Sequence, residues 1–311
     1  MELNNLPTEV LYNILLKVDY CFLLTNCALV SRNWKNIITH NDFIIHYCRE
    51  MIEGYPRITS RSQTEIEFCQ TYFKTKQNKA YIPIKAISAS STDHISQHVA
   101  FTIAEYHRTF WSSTGSRSDE DNELLVYEIG MGVGIIKFMR ISFFQANWLP
   151  SVDGDNSCFS SKSLRIEILN ERGEKIYKSS IFNVVKTNHA QTFHLPKPFF
   201  VTEGYKIHLH LMGKAEKQLS DNLYYTCVNN FAIFGISSLA IPFRFTDGNF
   251  TKYPIEEYRF AKHIVFNSKN LLLSFANLIT RTPHIINNPR MPYYLEHLGK
   301  LNSRRLREMR E

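Results

Sequence analysis

The chain has 311 residues, 44% hydrophobic and 21% charged, with a formal net charge of +7, enough to fill about two globular domains and unlike a disordered or fibrous chain. The opening MELNNLPTEV lacks a basic segment followed by an apolar one, and no apolar run reaches the roughly 18 residues that cross a bilayer, so a soluble protein of the cytoplasm or nucleus is expected. Six cysteines lie scattered without a Cys-x-x-Cys pair, which points to reduced, buried thiols and away from a disulfide framework or structural zinc.

The first predicted helix starts at Leu6-Pro7. A proline there gives up an N–H that a helix start leaves unused, and Thr8 and Glu9 place polar and negative groups in the first turn. Val10, Leu11, Ile14, Leu15 and Val18 then recur with the helical period, while Glu9, Asn13 and Lys17 take another face. Asp19-Tyr20 breaks the pattern. Phe22, Leu23, Leu24, Cys27 and Ala28 begin a second apolar stretch, and Val30 to Ile38 form a third with Trp34, Ile37 and Ile38 on one side. Roughly forty residues in three short helices are too few for an independent core, so this unit is expected to lean on a partner or an adjacent domain.

The ordered set Leu6-Pro7, Val10 to Leu15, Leu23-Leu24 and Val30-Ser31-Arg32-Asn33-Trp34 resembles the F-box family. That resemblance implies docking on a Skp-type adaptor, and through it a cullin, in an SCF-type ubiquitin ligase. It also implies Leu6, Pro7, Leu15, Leu24, Val30, Ser31 and Trp34 as adaptor contacts. One departure is Asp19-Tyr20-Cys21-Phe22, standing where the family more usually has proline and aspartate before the middle helix.

Next, Phe43, Ile44, Tyr47, Cys48 and Met51 carry helical spacing over 42–52, Gly54-Tyr55-Pro56 interrupts, and Ile66, Phe68, Cys69, Tyr72 and Phe73 resume it over 64–73. A two-helix connector is expected, holding the first unit at a fixed angle to the next domain. The basic loop KTKQNK, residues 74–79, is the expected boundary.

From residue 80 to about 239 the chain turns to short β-rich runs: YIPIKAISA, LLVYEIG, VGIIKFMRISFF, SLRIEIL, KIYKSSIF, QTFHL, KIHLHLM and FAIFGIS, divided by polar and Gly-bearing turns. Strands at this spacing predict a jelly-roll β-sandwich. One hairpin runs from Arg165 to Leu169 and through Asn170 to Gly173 into Lys175-Ile176-Tyr177. In another strand Ile207, Leu209 and Leu211 face one way, with His208 and His210 opposite. ISASST at 87–92, FWSSTGS at 110–116 and ELLVYEI at 123–129 resemble the opening of discoidin-like or galactose-binding-like sandwiches. The order F-box then sandwich resembles a group of plant F-box proteins.

Several features in this half have the residue types of a site. Trp111 and Trp148 with Tyr106, Phe110 and Phe144 offer an aromatic platform, although Trp111 fits a core plug better. Asp153-Gly154-Asp155-Asn156 holds calcium-type oxygens without the remaining ligand pattern and reads more simply as a polar turn. Trp148, Trp111, Asp153 and Asp155 are the candidate substrate contacts. His208 and His210 share a strand face, but no acidic or cysteine partner lies nearby in sequence, so solvated or cross-strand histidines are expected and no metal. Gly130 to Gly134 is glycine-rich outside any βαβ pattern. No serine, cysteine or carboxylate constellation points to catalysis, and no cofactor is expected.

After residue 240 the alternation fades. Helices are expected over 254–262 and 269–279, and from 281 onward seven Lys or Arg oppose three acidic residues, which a solvated amphipathic helix explains. A pI near 9.0 allows only weak polyanion contact.

The expected fold is α+β multidomain: F-box over 1–45, helical connector over 46–79, β-sandwich over 80–240, and a partly helical extension over 241–311. The expected function is a non-enzymatic substrate receptor of an SCF-type ligase, its sandwich loops capturing a protein target, glycosylated or not. The alternative is a glycan- or lipid-headgroup-binding module whose F-box serves assembly outside degradation.

Overall fold

The computed structural model describes residues 6–18, 20–56, 62–75, 80–103, 109–130, 132–150, 156–237, 243–246 and 248–252. Their helices are α1 (Thr8–Leu15), α2 (Tyr20–Thr25), α3 (Arg32–Thr39), α4 (Asn41–Met51) and α5 (Gln63–Thr75), with a short 3-10 turn at Cys27–Leu29. Strands come next as β1 (Ala80–Tyr81), β2 (Ile84–Ala89), β3 (Trp111–Ser112), β4 (Glu123–Ile129), β5 (Val133–Phe143), β6 (Gln145–Pro150), β7 (Asn156–Cys158), β8 (Ser161–Leu169) and β9 (Lys175–Lys178). The remainder are β10 (Phe182–Asn183), β11 (Gln191–Thr202), β12 (Lys206–Lys214), β13 (Glu216–Gln218), β14 (Leu223–Tyr225), β15 (Cys227–Ile236), β16 (Phe243–Thr246) and β17 (Asn249–Lys252).

Local chemistry sets the helix starts. Pro7 occupies the N-cap position of α1, one residue earlier than a first-turn proline, and its carbonyl accepts from the Val10 and Leu11 N–H groups at 3.0 Å each. Ser31 is extended, and its hydroxyl accepts from the Trp34 N–H at 3.2 Å, capping α3. His40 ends α3 and caps α4 through its ring nitrogen, which accepts from Asp42 N–H. Two helices are therefore joined without a loop.

Two antiparallel sheets form the sandwich. One runs β1-β15-β5-β11 with β3 also on β15, and the other runs β10-β8-β12-β4-β2 with β9 also on β8. Alternation along β4, β8 and β12 sends Leu125, Tyr127, Ile129, Ile166, Leu209 and their neighbours between the sheets. There Tyr127 stacks on Phe231 of β15, with centroids 4.7 Å apart.

The first sheet is apolar on both faces because it has a second neighbour. Phe199 and Val201 of β11 join the core between the sheets, while Phe200, with Val133, Ile135 and Ile236, joins a cluster that runs without a break into α1, α3, α4 and α5. The molecule is thus layered as helices, sheet and sheet. Phe68 of α5 stacks on Phe250 of β17 at 4.4 Å and meets Phe200 and Phe243 edge-on at 6.2 and 5.8 Å. Lys252 pairs with Glu67 on the same helix. The backbone joins too: Glu53 N–H donates to Pro198 O at 2.8 Å, and Phe200 N–H to Glu53 O at 2.9 Å. Gly54, at φ +70°, lets this strap turn away, and a Cβ there would sit 2.7 Å from the Phe199 ring.

Three expectations needed correction or fell elsewhere. The run QTFHL is the start of a strand twice as long, continuing through Pro196 and Pro198 to Thr202. Both prolines lie at a register shift between His194 and Phe199 on an edge strand, where a missing N–H costs no ladder bond. Past residue 240, β16 and β17 pair as a hairpin and pack on α5 instead of fading into irregular chain. The expected helices over 254–262 and 269–279 and the basic tail lie outside the described residues.

Candidate functional site

The helical unit divides its apolar residues between two surfaces. Leu11, Leu15, Leu23, Trp34 and Ile38 are buried in the shared core. Val10, Ile14, Phe22, Leu24, Leu29 and Val30 are not, and they make up six of the eleven large apolar side chains exposed among the described residues. Leu29 is the extreme at 80% exposed. Such a concentration in some twenty residues is what an uncovered docking surface looks like. Of the seven positions singled out from sequence, Pro7, Leu24 and Val30 are exposed, and Leu6 and Ser31 are half-buried. Leu15, at 1%, and Trp34, at 7%, point inward. Ser31 acts as a helix cap. The residues that sequence reasoning did not single out are Val10, Ile14, Phe22 and Leu29; for Val10 and Ile14 the signal was an apolar stripe on α1 wider than one buried face requires.

In the sandwich the structure corrects Trp111 as a substrate contact. Its side chain is fully buried between the sheets, and its indole N–H donates to Ser91 O at 3.0 Å, with Thr92 Oγ1 at 3.3 Å. The serines of the same motifs converge on one buried ion pair. Lys214 Nζ lies 2.9 Å from Glu123 Oε1 and donates to Ser113 Oγ and Thr114 O at 3.2 and 3.1 Å. Ser90 and Ser91 donate to Glu123 Oε2 at 2.5 and 2.8 Å. The Ala-Ser-Ser and Trp-Ser-Ser segments therefore serve as a polar lock joining β2, β4, β12 and the segment after β3.

Beside this lock, Phe110 and Phe144 stack at 3.8 Å and an 18° angle, half-buried over Ala146, Phe159, Tyr225 and Cys227. They are the part of the expected aromatic platform that the structure brings together. Trp148 lies on β6 of the same region, and Tyr106, Asp153 and Asp155 lie outside the described residues. Tyr225 donates to Asp221 Oδ2 at 2.6 Å, and burial first, then that carboxylate, pushes its phenol pKa up.

The histidine pair has the acidic neighbour that was not legible from sequence. Antiparallel register places His208 of β12 opposite Glu167 of β8 and His210 opposite Arg165. His210 Nε2 is 3.3 Å from Glu167 Oε2, Lys175 Nζ is 2.8 Å from that oxygen, and Arg165 Nη2 is 3.4 Å from Oε1. Burial lowers both imidazoles from their ordinary pKa, His208 with added repulsion from His210, and His210 against the opposing pull of Glu167. Burial alone would raise the Glu167 carboxyl, but Lys175 and His210 outweigh it and hold it below the usual range.

Residues 3–46 match the family model described as F-box domain. The chain is 24% identical over 297 residues to F-box protein At4g00755 of Arabidopsis thaliana, an alignment covering 78% of this chain and 77% of that protein. Among solved structures, it aligns with the family 32 CBM from C. perfringens NanJ in complex with galactose at 14% identity, covering 50% of this chain and 99% of that one, with a TM-score of 0.38. Chitosan-binding module 1 from a chitosanase/glucanase of Paenibacillus sp. IK-5 aligns at 12% identity over 51% of this chain and 100% of that one, with a TM-score of 0.36.

Proposed function

We propose that the chain, whose residues 3–46 match the F-box domain model ahead of a β-sandwich, is the substrate receptor of an SCF-type ubiquitin ligase in the cytoplasm or nucleus. The observation that carries this reading is the exposed set Val10, Ile14, Phe22, Leu24, Leu29 and Val30. Among the described residues none covers them, and a Skp-type adaptor would. Burying one such side chain fully is worth about 1.5–3 kcal/mol, so a few central ones suffice for a stable complex. Pro7 and Leu6 border that face; Leu15, Ser31 and Trp34 shape it from beneath.

No residue of this chain performs chemistry in the scheme. The adaptor and cullin bring a charged conjugating enzyme, and the receptor raises the local concentration of a target lysine beside it. The end of the sandwich carrying Phe110, Phe144 and β6 is the capture surface, with a protein as target. Among the described residues no helix is long and apolar enough to cross a membrane.

The test is co-purification of the full chain with a Skp-type adaptor and a cullin, comparing wild type with the Phe22→Ala, Leu29→Asp, Val30→Asp triple variant. All three positions are exposed, so the variant should fold as the wild type does. Loss of about 100-fold or more in adaptor affinity is expected. Retained binding by a folded variant would overturn the assignment of this face.

A further inference from the structure

We infer that Glu167, His208 and His210 form a surface site for a borderline divalent transition metal of the zinc class. The inference is independent of the adaptor reading, because it rests on the outer face of the other sheet. One donor atom from each of the three lies within 4.8 Å of the other two. Side-chain rotation closes that distance to the edge of about 3.3 Å that metal–ligand bonds of about 2.0–2.1 Å give a tetrahedron. Two imidazoles two residues apart on a strand share a face, and the carboxylate comes from the strand paired beside them. The backbone ladder fixes all three before any ion arrives.

The carboxylate is nearly buried, at 5% exposed, while the imidazoles are half-buried, so an ion reaches the site from solvent and keeps at least one open position. His210 Nε2 is buried and faces Glu167 Oε2 at 3.3 Å, out of line for a hydrogen bond among the described residues. A cation between these two atoms satisfies both. Two nitrogens with one oxygen select zinc, copper or nickel over calcium or magnesium.

Lys175 competes for the same carboxylate oxygen, and Arg165 holds the other. Metal binding therefore displaces the Lys175 ammonium, which sets the affinity low and makes it adjustable. This separates a metal site from a self-contained ionic cluster, in which Lys175 is needed and not in the way.

The experiment titrates the full chain with Co(II), reading the visible absorption band of a low-coordinate ion, and with Zn(II) by calorimetry. Wild type, His208→Ala, His210→Ala and Lys175→Ala are compared, with circular dichroism confirming each fold. Submillimolar binding is expected, weakened about tenfold or more by either histidine change and tightened by Lys175→Ala. Absence of wild-type binding, or binding untouched by both histidine changes, overturns the site. Binding that Lys175→Ala leaves unchanged or weakens overturns Glu167 as a ligand, and with it the three-donor site.

Discussion

Truncating Phe68 to alanine tests whether the helical unit and the sandwich are one cooperative body. The ring is fully buried on α5, stacks on Phe250, and meets Phe200 of the sandwich and Phe243 of the last hairpin. Removing it leaves a cavity where three elements meet, α5, β11 and the β16–β17 hairpin, and the Glu53 strap holds Phe200 of β11 in place. Phe→Ala changes at such sites cost about 3–5 kcal/mol, a large share of a total stability of about 5–15 kcal/mol. The melting midpoint should fall by something on the order of 10 °C. The assay is urea and thermal denaturation monitored by helical circular dichroism and by the near-ultraviolet aromatic signal. Both probes should shift together. Phe22→Ala serves as the control, since that ring is exposed and its loss should change stability by no more than about 0.5 kcal/mol. If Phe68→Ala costs as little as the control, or if the two wild-type probes have separate midpoints, the shared core does not couple the halves.

Three further outcomes are expected. Lys214→Met strands the Glu123 carboxylate in the interior and should cost about 3–5 kcal/mol; adding Glu123→Gln should restore part of it, and equal losses in urea titrations of the single and double variants would contradict the lock. Ser31→Ala removes the cap on Trp34 N–H and should cost about 1 kcal/mol, so unchanged stability with lost adaptor binding would make Ser31 a contact instead of a cap. Burial pushes the Cys158 and Cys227 thiols up to about 11 and about 12, so iodoacetamide at pH 8 should leave both unmodified in the native protein and label them in urea. Mass spectrometry of the digested chain distinguishes the two results.

Period and turn chemistry made much of the architecture readable. The α1 stripe, the third apolar stretch around Trp34 and the two connector helices lie within a residue or two of where spacing put them. The long strands β4, β5, β8, β12 and β15 coincide with runs rich in β-branched and aromatic residues, a local signal. The unreadable part depended on pairing across the chain. Glu167 and His208 are 41 residues apart and become neighbours only through the β8–β12 register. Lys214 reads as a surface lysine until the sheets close over Glu123. Pro196 and Pro198 read as breakers because nothing local says that their strand is an edge. On α1, period alone marks Val10 and Leu11 equally, and only the packed core tells which stays out.

The doubly covered sheet also decides where this chain can be divided. A fragment cut at residues 80 and 240 would leave Val133, Ile135, Phe200 and Ile236 bare and lose the hairpin and helix that cover them. Such a fragment should be sticky by itself, and silence from it in a ligand screen would be uninformative. Transplanting the sandwich onto a foreign F-box would likewise carry α4, α5 and the β16–β17 hairpin along, so these elements should exchange between relatives as a block, with the interchangeable part ending near α3.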